Sequence, residues 1–135
     1  MYKDFKDMKV WQDAMEVAEV IYSWTENLPK KEDYGYTSQI RRSALSISAN
    51  IAEAFGRHHT NDKVNFYYYS RGSVTETGSH LEYGLRVGYI EKEKVEFFQF
   101  SAPEFRLTDM FPLGLVALLT WALVSSFGWD EEAQG

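Results

Sequence analysis

The chain has 135 residues, a mass of 15.7 kDa and no cysteine. Its length corresponds to one domain with a sizeable core, and the lack of cysteine excludes disulfides, cysteine-ligated metal centres and a thiol nucleophile. Hydrophobic residues make up 44% and charged residues 25%, which is typical of a folded globular protein rather than a disordered one. The net charge of −6 argues against a uniformly basic nucleic-acid-binding protein.

The first part of the chain predicts two amphipathic helices, over residues 4–28 and 37–55. In both segments apolar residues recur three or four positions apart, which places them on one helical face. Pro29 prevents the first helix from continuing. Gly56 is predicted to end the second helix in the left-handed conformation that glycine tolerates.

Residues 61–87 predict a third helix, which Gly88 closes. Each of the glycines at 72, 78 and 84 costs about 1 kcal/mol of helix propensity relative to alanine. Their presence therefore predicts close contact with another helix. The inner positions are predicted to be Phe66, Tyr69 (or Ser70), Ser73, Thr77 (or Val74), Leu81 and Leu85.

A fourth helical element begins at Glu91, and Pro103 interrupts it. Residues 111–129 then form a run of 19 residues without a charge. The charge balance changes at the same point, because residues 101–135 hold one arginine and five acidic residues. Residues 30–72 have the opposite balance, with seven lysines and arginines, four acidic residues, and His58 and His59 beside them. The acidic total therefore hides a mildly basic middle.

The segment SQIRRSALSISANIAEAFGR, residues 38–57, resembles the bacterial four-helix-bundle family that is encoded within intervening sequences of 23S rRNA genes. The similarity begins at DFKDMKVWQDAMEVAEVIY, residues 4–22, and covers about residues 4–98. It departs from the family at Ser48, where proline is usual, at Ala54, where glycine is usual, and after about Gln99. After residue 57, the residues that carry the similarity are Phe66, Gly72, Ser73, Glu76, Leu81, Gly88, Tyr89 and Ile90.

This resemblance implies an all-α fold, an antiparallel up-down four-helix bundle, and assembly into a barrel-like homopentamer. Related accessory proteins of diversity-generating retroelements use the same bundle to bind nucleic acid and a reverse transcriptase. No enzymatic activity and no cofactor is implied for the family. The expected partners are therefore further copies of the chain and either RNA or a nucleic-acid-associated protein.

The basic residues of the middle segment are the candidate nucleic-acid contacts. Arg41 and Arg42 lie 100° apart on a helix, so one of them is expected to pair within the bundle, for example with Glu53, while the other reaches solvent or a phosphate. The remaining candidates cluster around the turn between the second and third helices. The full candidate set is Arg41, Arg42, Arg57, His58, Lys63 and Arg71.

Neither a metal site nor a catalytic site is predicted. A dinuclear carboxylate site in a helical bundle needs a repeated Glu-x-x-His pattern, whereas Glu76 and His80 are four residues apart and have no second copy. No glycine-rich phosphate loop is present.

Three consecutive tyrosines, Tyr67, Tyr68 and Tyr69, cannot all face the core, because they cover most of a helical turn. The exposed tyrosine is expected to pack on a neighbouring subunit or to stack on a base, with subunit packing preferred because interfaces are enriched in aromatic residues.

The domain organisation expected from these patterns is a helical bundle over residues 1–100 followed by an atypical apolar segment over 101–135. Residues 111–129 span about 28 Å as a helix, which is barely a membrane thickness. Three interpretations stay open for residues 104–135: a replacement fourth helix, a membrane anchor, or frameshifted or fused sequence. The membrane interpretation is not favoured, because Pro112 and Gly114 lie in the run.

We therefore expect a non-enzymatic, oligomeric protein of the cytoplasm that binds RNA or a nucleic-acid-associated protein. The charged N-terminus of the chain lacks the apolar stretch of a signal peptide. The alternative is a structural or membrane-associated assembly module that uses the C-terminal apolar run.

Overall fold

The computed structural model describes residues 1–101, and all of the regular structure in this part of the chain is helical. This confirms the predicted all-α fold. The predictions from sequence for residues 102–135, including the apolar run at 111–129, lie outside the described residues. The helices are α1 (Lys9–Thr25), α2 (Tyr36–Gly56), α3 (Thr60–Arg86) and α4 (Lys92–Ser101).

The first helix is shorter than the sequence predicts. Phe5–Asp7 form a separate 3-10 turn, and the side chain of Asp4 caps it by accepting a 2.9 Å hydrogen bond from the Lys6 amide. Met8 is extended, so α1 begins only at Lys9. The Phe5 ring lies edge-on to Trp11, at 5.1 Å between centroids. The spacing of apolar residues seen in α1 thus extends back to Phe5, although the α-helix itself begins only at Lys9.

The second helix lies between its neighbours and is buried on both sides. Ile40, Ile47 and Ile51 have no exposed surface. Ser70 Oγ on α3 donates a 2.8 Å hydrogen bond to the Ile47 carbonyl, and Thr77 Oγ1 donates to Ser43 Oγ at 3.0 Å. These small hydroxyl side chains let α2 and α3 approach closely and run antiparallel.

The buried face of α3 is rotated relative to the prediction. Tyr69 is 58% exposed, so its predicted inner position is wrong, and the alternative Ser70 is fully buried. The buried positions are mainly the small residues that face α2. Tyr67, three residues before Ser70, is buried with them. The buried residues of α3 are Tyr67, Ser70, Ser73, Thr77, Leu81 and Gly84.

The glycines of α3 differ in what surrounds them. A Cβ atom at Gly84 would lie 2.6 Å from Ile90 Cγ1 and would clash with the Tyr36 ring, whereas one at Gly78 would touch the Phe98 ring at 3.5 Å. At Gly72, no described atom lies within 4 Å of that position. Close packing therefore requires glycine only at Gly84, because the contact that a Cβ atom would make at Gly78 is an ordinary van der Waals contact.

Gly88 ends α3 with a φ of +80°, as predicted. Gly56 instead keeps helical geometry as the last residue of α2, and the next residue, Arg57, turns the chain in an extended conformation. The predicted left-handed end at Gly56 is wrong.

The fourth helix closes one end of the core. Val95 and Phe98 are buried in a cluster with Ile21, Ile40 and Leu81. The Trp24 ring on α1 meets Phe97 edge-on at 6.1 Å. Because α4 is described only to Ser101, the full up-down arrangement of four helices stays a prediction.

Candidate nucleic-acid interface

The six predicted contact residues fall in three places and do not form one cluster. Arg41 and Arg42 lie near the start of α2, whereas Arg57 and His58 follow its end. Fifteen residues separate Arg42 from Arg57, a distance of about 22 Å along the helix axis. Lys63 and Arg71 lie on the first half of α3, so the residues near the α2–α3 turn form the larger group.

The Arg41 side chain is engaged inside the bundle. Its Nε donates a 2.8 Å hydrogen bond to Thr25 Oγ1, and its guanidinium carbon lies 4.3 Å from the centre of the Tyr22 ring. A longer contact, 3.5 Å, runs from its Nη2 to the Tyr22 carbonyl. A cation at the C-terminal end of α1 satisfies free carbonyls and complements the helix dipole. The expectation that one arginine of the pair acts structurally fits Arg41, with a hydroxyl and an aromatic ring as partners in place of a carboxylate.

Arg42 points away from these contacts. Arg42 is exposed, and its side chain forms no ion pair with any residue of 1–101. Its position beside Arg41 gives two adjacent cations with different surroundings, one held against α1 and one open to solvent.

Arg57 lies on an aromatic surface at the α2–α3 turn. It pairs with Glu53 one turn earlier, and its guanidinium carbon is 4.6 Å from the centre of the Phe66 ring. The Phe66 ring in turn meets Tyr69 edge-on at 5.5 Å. The guanidinium thus lies over the Phe66 ring at a distance that favours a cation–π interaction.

His58 and Arg71 are exposed, and Lys63 is partly exposed. None of the three side chains forms an ion pair with another described residue. Between residues 57 and 72 there are three arginines and lysines and one acidic residue, Asp62. This stretch therefore presents positive charge that the described chain does not neutralise.

The structure adds two tyrosines to the same stretch. Tyr68 and Tyr69 are 51% and 58% exposed, whereas Tyr67 is buried. The sequence signal was the tyrosine triplet itself, which required at least one exposed ring. It did not show that two are exposed, because the buried line of α3 follows small hydroxyl residues instead of large apolar ones.

Buried polar groups elsewhere are used for packing. The Tyr36 hydroxyl donates a 2.7 Å hydrogen bond to the His80 carbonyl, and burial beside Tyr83 raises the pKa of Tyr36 to about 12. The Tyr89 hydroxyl donates to Glu32 Oε1 at 2.9 Å, a hydrogen bond that raises the pKa of Tyr89. These bonds tie the α1–α2 connection and the start of α2 to the end of α3.

Glu76 and His80 face each other across one helical turn, with 3.4 Å between Glu76 Oε1 and His80 Nε2. That contact is long for a hydrogen bond. Within residues 1–101, no group of three or more histidine and carboxylate side chains is arranged to hold a metal ion. Across the same residues, no helix is long and apolar enough to span a bilayer.

Comparison with known proteins agrees with the helical architecture. The chain is similar to a crystal structure from Bacteroides thetaiotaomicron, described as a protein of unknown function from the S23 ribosomal protein family. The two share 26% identity and a TM-score of 0.59, over 87% of this chain and 96% of the other. No curated protein matches the sequence. The family model described as "23S rRNA-intervening sequence protein" matches residues 6–106, and the chain belongs to this family.

Proposed function

We propose that this chain is a non-enzymatic, homo-oligomeric protein of the cytoplasm that binds RNA through the surface around the α2–α3 turn. The observation that carries the proposal is the pair of cations Lys63 and Arg71, which follow the exposed His58 along the chain; none of the three side chains has an ion-pair partner among the described residues. Phosphate groups are the natural counter-charge for unpaired, exposed cations, and they supply most of the sequence-independent affinity for nucleic acid.

The overall negative charge does not oppose this assignment, because the charges are unevenly placed. α1 carries three carboxylates and one lysine, whereas residues 57–72 hold three lysines and arginines and one acid. RNA is attracted by the local potential of the surface it meets, since charges beyond about 10 Å are screened at physiological salt.

A binding role is supported over a catalytic one by how the interior polar groups are used. Ser43, Thr77 and Ser70 bond to one another or to backbone carbonyls across the α2–α3 contact. Ser43, Ser70 and Thr77 are all buried, so their hydroxyl groups serve the packing of the two helices.

The test is RNA binding measured against salt. Labelled RNA mixed with the full chain at about 50 mM salt should show binding that weakens steadily as salt rises, because phosphate contacts release counterions. The double variant Lys63→Glu/Arg71→Glu should bind at least about tenfold more weakly and show a shallower salt dependence.

The matched control is Lys92→Glu, which changes an exposed lysine at the start of α4. Its partner Glu96 is also exposed, so loss of that pair changes stability little, and RNA binding should stay within about twofold of the unmodified chain. If no RNA is retained at low salt, or if the control weakens binding as much as the double variant, the proposed surface is wrong.

A further inference from the structure

The exposed face of α3 combines two features that a purely cationic surface lacks: free aromatic rings and side-chain amides. Asn61, Asn65 and Tyr68 are spaced by four and three residues, so they lie on one face of the helix, and all three are exposed. Tyr69 and Arg71 border this face and are also exposed. We call these five residues the α3 face.

The rings of the α3 face are presented from a rigid support. Tyr69 rests against Phe66 at 5.5 Å between ring centres, and Phe66 carries the Arg57 guanidinium on its own face at 4.6 Å. Tyr68 is one residue earlier, about 100° around the helix. Two tyrosines on a helix thus stand out from the surface with part of each ring open to solvent.

Apart from its tyrosines, the α3 face lacks the side chains of an apolar protein interface. The exposed residues between 57 and 72 include no leucine, isoleucine, valine or methionine. The tyrosines alone suit either kind of partner, because protein interfaces are enriched in tyrosine and bases stack on aromatic rings. The amides, the hydroxyl, the glycine and the cations around the two rings favour nucleic acid.

From this arrangement we propose that the α3 face binds single-stranded RNA, with unpaired bases stacked on Tyr68 and Tyr69 and the adjacent phosphates near Arg71 and Lys63. This inference rests on the proposed function and specifies the form of the nucleic acid. Bases of single strands stack on aromatic rings and hydrogen-bond to side-chain amides through their free edges.

Duplex RNA does not fit the same surface. The bases of a duplex are stacked on each other, and its major groove is too narrow and deep for side chains to enter. A tyrosine ring on the helix surface cannot stack on bases that are already stacked inside a duplex, so the rings would add little to duplex binding beyond the cations.

The experiment compares two labelled probes of equal length, a 15-nucleotide oligouridine and a 15-base-pair RNA duplex, in fluorescence anisotropy with the full chain. Oligouridine stacks weakly on itself, which leaves its bases free. We expect tighter binding of the single strand, and we expect Tyr68→Ala/Tyr69→Ala to weaken that binding by about 5- to 100-fold while duplex binding changes less than twofold. Tyr68→Phe/Tyr69→Phe keeps both rings and should retain most of the affinity.

The matched control is Tyr34→Ala, which removes a 99% exposed tyrosine from the α1–α2 connection and should leave binding of both probes unchanged. Circular dichroism of each variant verifies that the helices are intact. Equal binding of duplex and single strand, or single-strand binding that the alanine substitutions do not affect, would overturn the stacking inference and leave RNA binding through cations in place. Absence of binding to both probes would overturn the proposed function itself.

Discussion

Gly84 and Gly72 lie in the same helix, α3, but differ in how closely other atoms approach them. A methyl group at Gly84 would clash with Tyr36 and Ile90, whereas one at Gly72 meets no described atom within 4 Å. We therefore expect Gly84→Ala to lower the free energy of unfolding by about 2 kcal/mol or more, since a packed core accepts extra volume only with strain. Gly72→Ala should raise it by about 0.5–1 kcal/mol through helix propensity.

Urea unfolding of the two variants beside the unmodified chain measures both changes. Opposite signs are the expected result. A destabilising Gly72→Ala would contradict the prediction and would mean that another molecule covers this glycine in solution.

Tyr36 predicts a specific sensitivity to alkaline pH. Its ring is 7% exposed, and its pKa rises from 10 to about 12 because burial disfavours the phenolate. A raised pKa in the folded chain gives stability that is complete below pH 10 and is lost as pH rises through about 12. Tyr36→Phe should cost about 1 kcal/mol near pH 8, because the hydrogen bond to the His80 carbonyl is lost, but the variant has no phenol to ionise.

The unmodified chain is the more stable of the two near pH 8, and its advantage in unfolding free energy over Tyr36→Phe should narrow above about pH 9 and reverse before about pH 11.5. Tyr34→Phe, on an exposed ring, serves as the control for loss of a surface hydroxyl. A difference that stays constant over this pH range would show that ionisation of Tyr36 does not limit alkaline stability.

Residue-level predictions from the sequence succeed where spacing determines burial and fail where residue size is misleading. Ile40, Ile47 and Ile51, which recur at helical spacing, lie in the core, because large aliphatic residues on one helical face have one favourable place. For the inner position of α3 the sequence allows Tyr69 or Ser70, and Tyr69 lies outside. Its neighbour Ser70 takes the inner position, since a hydroxyl that bonds to the Ile47 carbonyl permits closer helix packing than a ring does.

At the level of whole helices, Arg41 links two elements. Its hydrogen bond to Thr25 and its place over the Tyr22 ring fasten the last turn of α1 to α2. Arg41→Ala should lower the free energy of unfolding by about 1–3 kcal/mol, because a charge-assisted hydrogen bond and a helix-end cation are both lost. Arg41→Lys should recover only part of this, as a lysine lacks the planar group that lies on a ring.

The neighbouring Arg42 supplies the control for that experiment. It is exposed and forms no ion pair in the described part of the chain, so Arg42→Ala should change stability by less than about 0.5 kcal/mol. Thermal and urea unfolding of the three variants would contradict the assignment if Arg42→Ala were as destabilising as Arg41→Ala.

Helix existence was predictable from apolar periodicity, but helix ends were not. The 3-10 turn at Phe5–Asp7 continues the apolar pattern of α1, and its separation from the helix depends on the extended backbone at Met8. Gly56 likewise stays helical because the turn to α3 is made by the extended Arg57. Such boundaries are set by backbone geometry that several residue types allow. The excess of lysine and arginine around the α2–α3 turn could be read directly from the sequence. That excess does not depend on which face of a helix each residue occupies.

At the scale of the whole molecule, the described residues have a hydrophobic core of their own. Every buried apolar residue of the described chain lies between Met8 and Phe98, and Met1–Pro103 form one compact unit. The family to which the chain belongs matches the same region, residues 6–106. These observations agree on where the folding unit lies.

A chain that ends at Pro103 is therefore expected to fold by itself. It should unfold cooperatively in urea and keep the helical circular dichroism signal of α1 to α4, because the described residues that pack around Ile21, Ile40 and Leu81 are all retained. It should also form an assembly with the same number of subunits as the full chain. For a pentamer of the full chain, the mass in solution should be five times the 15.7 kDa chain mass. A truncated chain that folds but is monomeric would locate the assembly contacts in residues 104–135. A truncated chain that fails to unfold cooperatively would show that the core is incomplete without that segment, and the replacement-helix interpretation of the sequence would then be the one to pursue.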